Sequence, residues 1–338
     1  MPLVRKNEAA MKYLRHFLFK ICLGAVLIAM TGCEQPTAQK PSPQTAAIDT
    51  ATPLIVERET RIPSGAVKIT TATDAHPPQV LSAEYKKPEP VPGAVNTAGA
   101  EDSPFITPDG NTLYFFFTPD VKIPAEKQLL DGVTGIYVSQ RVDGQWGKPE
   151  RVLLQSAGKL ALDGCEFVQG DVLWFCSARE GYVGIHWFTA QYRNGTWQDW
   201  KIADFDPDYQ VGELYFTPDG SQLYFASDRS GGKGGLDIWL SQKVDNAWQE
   251  PVNVAAVNTQ DADGWPALRP DGRELWQYRN YSLWRSRNVG GEWQPPEQII
   301  SPLAGEASVD AAGNVYFVHH FYKDDQMLEA DIYVAVKK

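Results

Sequence analysis

The stretch FTPDGSQLYFASDRSGGKGGLDIW, residues 216–239, contains apolar runs separated by turns. Pro218 presets φ in the first turn, and Gly220 accepts the positive φ that often closes a hairpin. The second turn, SGGKGG, lacks the GxxxxGK[ST] spacing of a phosphate loop and is not followed by a helix-like pattern. The stretch therefore predicts consecutive β-hairpin strands and not a nucleotide site.

The same hairpin recurs along the chain. Close copies are SPFITPDGNTLYF (103–115), ELYFTPDGSQLYF (213–225) and PALRPDGRELWQY (266–278), and degenerate copies are EFVQGDVLWF (166–175) and ASVDAAGNVYFV (307–318). A second landmark follows each hairpin at intervals of about 50 residues, beginning at Gly135, Gly184, Asp237, Ser282 and Asp331. A tryptophan after a polar turn, expected to pack between units, completes the pattern at Trp146, Trp197, Trp248 and Trp293. Five units of four strands predict an all-β fold, a five-bladed β-propeller.

The two chain ends complement each other. The fifth unit stops after Asp331-Ile332-Tyr333 without an outer strand. The segment EYKKPEPVPGAVNT (84–97) is similar to AWQEPVNVAAVNT (247–259), with Tyr85 in place of Trp248. We therefore expect the N-terminal segment to supply the missing strand and close the ring, which removes exposed sheet edges.

The N-terminus has the features of an export signal. Basic residues precede the apolar run ICLGAVLIAM (21–30), and Thr-Gly-Cys follows it. This pattern resembles the bacterial lipobox, which implies lipidation of Cys33, and Glu34 beside it implies the outer membrane by the enteric sorting rule. A plain signal peptide is the alternative, and translation can start at Met1 or Met11. The predicted organisation is a signal peptide (1–32), a flexible tether rich in Pro, Thr, Ala and Gln (33–78) and a propeller domain (79–338).

The repeats resemble the WD40-like β-propeller repeat, also called PD40, found in the translocation protein TolB and in exported bacterial lipoproteins. The resemblance covers residues from about 84 to the end and is carried by TPDGSQLYFASDRSGGKGGLDIW and SPFITPDGNTLYF. It implies the fold, and by analogy an envelope-protein partner. The chain lacks a separate N-terminal α/β domain of the TolB kind, which separates it from TolB itself.

Acidic residues precede or begin every predicted inner strand, where propeller sites usually form. The candidate ligand-binding residues of this funnel are Glu101, Asp102, Glu166, Glu213, Asp263, Glu306 and the adjacent Trp265, with Asp163 and Asp261 nearby. Carboxylates suit a cation such as Ca²⁺, or a polyhydroxylated or cationic ligand. The alternative is a solvated rim whose carboxylates cap turns. No other cofactor is predicted, and a metal is left unassigned.

Other patterns are weaker. His319 and His320 are adjacent on a strand, so they point to opposite faces and do not form a metal pair. Cys165 and Cys176 flank the second inner hairpin, and in an oxidising periplasm they form a candidate disulfide. No GxSxG motif occurs, and no spacing indicates a Ser-His-Asp arrangement.

These features together predict an exported lipoprotein, facing the periplasm or the cell surface, that is more plausible as a scaffold than as an enzyme. Its propeller is expected to bind an envelope protein or ligand at the funnel mouth, with membrane attachment only through the lipid. The alternative is a propeller that binds or hydrolyses glycans of the cell wall with its acidic ring. The net charge of −11 excludes the basic surface that nucleic acid requires.

Overall fold

A computed structural model describes residues 56–156, 158–203 and 213–338. The predicted signal peptide, Cys33 and the first part of the predicted tether lie outside the described residues. In the described part, no helix is long and apolar enough to cross a membrane. Helix there is limited to a 3-10 turn at Arg58–Arg61 and one short helix, α1, at Ala125–Gln128.

The regular structure of the described residues is otherwise almost entirely antiparallel β-strand. The strands follow one another in five meanders, which we call units one to five. Two short N-terminal strands come first, β1 (Gln79–Val80) and β2 (Glu89–Pro90). Unit one contains β3 (Ala100–Ile106), β4 (Thr112–Thr118), β5 (Gly135–Val142), β6 (Gln145–Trp146) and β7 (Glu150–Arg151). Unit two contains β8 (Ala161–Gln169), β9 (Val172–Arg179), β10 (His186–Arg193) and β11 (Thr196–Ile202).

Units three to five repeat this order. Unit three contains β12 (Leu214–Phe216), β13 (Gln222–Ser227), β14 (Asp237–Val244), β15 (Ala247–Trp248) and β16 (Val252–Asn253). Unit four contains β17 (Gly264–Leu268), β18 (Glu274–Arg279), β19 (Ser282–Val289), β20 (Glu292–Trp293) and β21 (Glu297–Ser301). Unit five contains β22 (Ala304–Val309), β23 (Val315–Lys323) and β24 (Gln326–Ala335).

The predicted hairpins are confirmed. The first and second strands of every unit pair antiparallel, and SGGKGG is the turn between the paired strands β13 and β14. In this turn the carboxylate of Asp237 accepts hydrogen bonds from the backbone N–H groups of Lys233 and Gly234. These two N–H groups are therefore bonded to a side chain of the protein, as expected for a structural turn and not for a phosphate-binding loop.

The strands of the five units form four hydrogen-bonded sheets among the described residues, because units five and one share one sheet. A parallel bridge between Ala330 of β24 and Ala100 of β3 links these two units into one nine-stranded sheet. The first strands of successive units also contact one another, β3 with β8, β8 with β12, β12 with β17, β17 with β22, and β22 with β3.

The N-terminal segment adds strands to the last two units. β1 pairs with β21 of unit four, and β2 pairs antiparallel with β24 of unit five. Tyr85 bridges to Lys337 beyond β24, and its ring packs at 5.9 Å against Trp276 of unit four. Tyr85 is 2 % exposed, so the segment contributes to the core.

The sequence predicts that all four tryptophans after the polar turns pack between units, and ring contacts with a neighbouring unit are found for three of them. The fourth, Trp248, contacts Phe216 of its own unit. The ring of Trp197 in unit two lies 6.4 Å from that of Tyr114 in unit one. Trp293 of unit four lies 6.2 Å from Tyr224 of unit three, and Trp146 of unit one lies 6.3 Å from Tyr316 of unit five. Such edge-on aromatic contacts add to the burial energy that holds adjacent units together.

The structure differs from the expected tether boundary. Residues 56–78, which we call the strap, were expected within the flexible tether, but they pack against units one and five. Arg58 is 3 % exposed, Lys68 pairs with Glu329 and Asp331, and Asp74 lies 2.9 Å from His319. A composition poor in large apolar residues does not reveal this segment, because ion pairs hold it in place together with a few apolar contacts, such as that of Ile69 with the core.

Candidate functional site

A small central cavity lies where the five first strands meet. Three consecutive residues from each unit line it: 103–105, 165–167, 213–215, 265–267 and 306–308. Its volume is about 50 Å³. This is room for one or two waters or for a small cationic head group, given a water's share of about 30 Å³ in the liquid.

One residue of each set occupies an equivalent place, four positions before the turn segment. These residues are Ser103, Cys165, Glu213, Trp265 and Glu306. In units one, two, four and five the strand register shifts at this place, which is a β-bulge. The bulged residues adopt positive φ, from 47° at Glu306 to 55° at Cys165.

Left-handed backbone is costly for residues other than glycine, and bulges redirect side chains next to functional sites. Four units repeat this feature around one cavity. The bulge is therefore a recurring feature of these four units, and in each of them the residue with positive φ lies at the cavity.

Three carboxyl groups reach the cavity, those of Glu166, Glu213 and Glu306. Glu166 is 6 % exposed, and neither of its carboxylate oxygens has a hydrogen-bond partner among the described residues. Glu306 accepts a hydrogen bond from the Ser103 hydroxyl. An unpartnered buried carboxyl costs free energy unless it is protonated or neutralised by a bound cation.

Burial and mutual repulsion raise the pKa values of these groups. Burial raises the pKa of Glu213 to about 7, with a contribution from the charge of Asp102 and a limiting hydrogen bond from Trp265. Burial also raises the pKa values of Glu166 and Glu306 well above the usual range, and the other carboxylates of the cluster add to both shifts. The cluster therefore favours protons or a cationic ligand at neutral pH.

Aromatic rings form the rest of the wall. Phe167 contacts Phe105 at 5.1 Å and Tyr215 at 4.6 Å between ring centroids, both edge to face. Trp265 packs edge-on against Tyr278 at 5.1 Å. Carboxylates and aromatic faces together are the groups that hold organic ammonium ions in proteins.

The structure does not bring all the predicted funnel residues to this cavity. Glu101 and Asp263 are 0 % exposed and lie two positions before the bulge residues of their strands. Glu101 accepts hydrogen bonds from Arg58 and Thr97, and Asp263 from Arg279, Gln277 and Thr259. Their carboxylate oxygens are hydrogen-bonded inside the protein, so their contacts are structural, although burial raises the pKa of Glu101 to about 7.

Asp102 and the paired histidines stand at the edge of the cluster. Asp102 is 4 % exposed, its Oδ2 lies 3.7 Å from His320 Nε2, and its charge acts on Glu213 and Glu306. His319 points to the opposite side and contacts Asp74, and burial lowers its pKa to about 4. The two side chains diverge, as the alternation of a strand predicts.

Sequence reasoning missed Ser103 and Cys165 at the bulge, together with the aromatic wall. The turn frame could have identified them, because Ser103, Glu213 and Trp265 all stand four residues before Thr107, Thr217 and Arg269. In the structure Cys165 forms a disulfide with Cys176, with 5.4 Å between their Cα atoms. Among the described residues, no group of three His, Cys, Asp or Glu side chains is arranged to hold a metal ion.

Comparisons with known proteins show distant structural likenesses. No protein-family model matches the chain, and no curated protein matches it. An endo-arabinase from Bacteroides thetaiotaomicron is similar at 14% identity, covering 72% of this chain and 96% of that one, with a TM-score of 0.47. An α-L-arabinofuranosidase from Lactobacillus brevis is similar at 12% identity, with 70% and 90% covered and a TM-score of 0.45.

A TolB-like protein from Agrobacterium tumefaciens is also similar. Its identity is 15%, with 68% of this chain and 73% of that chain covered and a TM-score of 0.39. Likenesses at this level assign no activity, so the functional conclusions below rest on the site of this chain.

Proposed function

We propose that this chain is an exported lipoprotein whose five-bladed β-propeller, closed by its N-terminal segment, binds the cationic group of an envelope ligand or partner without transforming it. The ligand group enters the central cavity and contacts Glu166, Glu213 and Glu306. The Glu166 carboxyl carries this proposal. Its oxygens have no hydrogen-bond partner among the described residues, and a buried acid in that state gains most from a ligand that neutralises it.

Strand contacts support the propeller. The first strands touch in cyclic order, and the fifth touches the first. Asn96, in the N-terminal segment, exchanges two hydrogen bonds with the backbone of Ile332, at 2.9 and 2.8 Å. Asn258 makes the same pair with Ile238, both at 2.8 Å, so the N-terminal segment relates to unit five as the segment after unit three relates to unit three.

Export and lipidation at Cys33 rest on the sequence pattern alone, and so does placement in the outer membrane. A lipid anchor would hold the propeller near other envelope components, where amines of proteins and cell-wall peptides are available ligands. We favour an organic ammonium group over Ca²⁺ because aromatic rings complete the wall and because, among the described residues, the acidic side chains are not arranged to hold a metal ion.

Glycan hydrolysis is the alternative, favoured by one observation. The pKa of Glu213, about 7, is that of a carboxyl able to act as a general acid near neutral pH. Trp265 beside it could then stack on a sugar ring. Turnover of a glycan that is lost in Glu213→Gln would establish this alternative over the binding role.

Calorimetry on the full chain in detergent micelles tests the binding role. The probes are 1,5-diaminopentane, which resembles a lysine side chain, and CaCl₂, each titrated into wild type, Glu166→Gln and Glu292→Gln. Glu292 is an exposed carboxylate on an outer strand and serves as the control.

We expect diamine binding in wild type and in Glu292→Gln, and loss of at least tenfold in affinity in Glu166→Gln. Binding of Ca²⁺ alone would redefine the cavity as a metal site. Absence of binding by both probes would overturn the proposal.

A further inference from the structure

Arginines that are buried or half-buried recur in the units and occupy an equivalent environment. In unit two, Arg179 lies 2.7 Å from Asp163 of the first strand. Its guanidinium lies 5.2 Å from the centre of the Phe175 ring and 4.5 Å from that of Phe188, which pairs with Phe175 across β9 and β10. In unit three, Arg229 lies in the same way over Phe225 and its paired residue Trp239, at 4.8 and 5.4 Å.

Unit one has no arginine at this position. The strand register pairs Glu101 with Phe117 in unit one and Asp163 with Ser177 in unit two. Counting two residues further along each strand places Pro119 where unit two has Arg179. A proline there offers no charge to Glu101, which is fully buried.

Arg58 of the strap fills this environment from a distant part of the chain. Its Nη1 lies 3.1 Å from Glu101 Oε1. Its guanidinium lies 5.5 Å from the centre of the Phe115 ring and 5.6 Å from that of Tyr137, the ring pair that corresponds to Phe175 and Phe188.

A backbone contact gives the same correspondence independently. Arg58 donates to the carbonyl of Val95 at 2.8 Å, and Arg279 of unit four donates to the carbonyl of Val257 at 3.1 Å. Val95 and Val257 occupy the same place in the two similar segments GAVNT and AAVNT. In both, the following threonine binds the acid that the arginine pairs with, Glu101 or Asp263.

We propose that the strap supplies the arginine that unit one lacks, so that residues 56–78 are an integral clasp of the fold and not part of a flexible tether. Lys68 extends the clasp to unit five, where it pairs with Glu329 and Asp331 of β24. One short segment thus neutralises buried acids of the first and last units, on either side of the place where the ring closes.

Relocating the charge tests this inference. Thermal unfolding of the full chain in detergent is compared for wild type, Arg58→Ala, the double variant Arg58→Ala/Pro119→Arg, and Arg61→Ala. Arg61 is an exposed arginine of the same 3-10 turn and is the matched control.

We expect Arg58→Ala to lower Tm by roughly 5–15 °C, because it leaves Glu101 buried without its ion pair. The double variant should recover at least half of this loss, and Arg61→Ala should remain within about 2 °C of wild type. Where Arg58→Ala fails to fold, recovery of soluble, cooperatively unfolding protein in the double variant is the readout.

Two results would overturn the inference. The first is an Arg58→Ala variant as stable as Arg61→Ala, which would mean that the strap is not required. The second is a destabilised Arg58→Ala variant that Pro119→Arg does not rescue, which would mean that Arg58 does not replace the repeat arginine.

Discussion

At the scale of single residues, two positions along a strand separate a structural acid from a candidate ligand. Asp263 is sequestered by Arg279, whereas Glu213, at the place in unit three that corresponds to Trp265 in unit four, reaches the cavity. Both lie in the acidic segments that the sequence singles out. The sequence does not show a bulge directly, since an extra residue in one strand leaves composition and alternation almost unchanged. The funnel was therefore predictable as a region, but not residue by residue.

The raised pKa of Glu213 predicts a specific pH dependence of stability. Its folded-state pKa, about 7, lies above the ordinary value of 4.5, so the folded protein binds more protons than the unfolded chain between these values. The corresponding stability is present below the ordinary pKa and is lost as pH rises through the folded one. Glu213→Gln removes this loss.

We expect the stability of Glu213→Gln relative to wild type to increase between about pH 5 and about pH 8. The difference in the free energy of unfolding should grow by on the order of 2 kcal/mol, and thermal unfolding at each pH should show it as a growing difference in Tm. Glu292→Gln is the control and should show a flat difference. A flat difference for Glu213→Gln as well would show that this carboxyl titrates normally.

At the scale of elements, the residues of the turns made the hairpins predictable. The ordered packing of the strap was not predictable, because it depends on ion pairs with distant residues. Pro and Gly at fixed offsets mark the β12–β13 turn directly in the sequence. Residues 56–78 lack an apolar periodicity, and the acid that Arg58 pairs with, Glu101, lies 43 residues away. A contact between distant charged residues has no local signature, so composition alone assigned the segment to the tether.

The hairpin of β8 and β9 carries the disulfide between Cys165 and Cys176, which are separated by 11 residues. Closing a loop of this size removes entropy from the unfolded chain and is worth about 3 kcal/mol in the loop-entropy model. We expect Cys165→Ser/Cys176→Ser to lose about that much stability when compared with wild type by chemical denaturation. Equal stability, together with two more Ellman-reactive thiols in the unfolded wild type than in the unfolded double variant under non-reducing conditions, would show that the bridge is absent.

At the scale of the whole molecule, the similarity between residues 84–97 and 247–259 predicted the role of the N-terminal segment. The pairing of β2 with β24 and the packing of Tyr85 agree with that role, because a segment with the sequence of an outer strand finds an unpaired edge at β24. The bridge between β24 and β3 was not predictable, since it depends on how units one and five approach and not on a repeated motif.

Ring closure can be tested with a matched pair of substitutions. Asn96→Ala removes both hydrogen bonds to Ile332, and Asn258→Ala removes the same two bonds to Ile238. Each change leaves a backbone N–H without its side-chain partner, at about 1–3 kcal/mol where that group stays buried. The carbonyls of Ile332 and Ile238 still accept hydrogen bonds from the backbone N–H groups of Val91 and Val254. If the N-terminal segment is a full member of the ring, both variants should lose about 1–3 kcal/mol in denaturant unfolding. They should also keep one cooperative transition, because a closed ring unfolds as a unit. An Asn96→Ala variant that loses less than about 0.5 kcal/mol, beside a clearly destabilised Asn258→Ala, would mean that the N-terminal segment only rests on unit five and that closure comes from the β24–β3 contact.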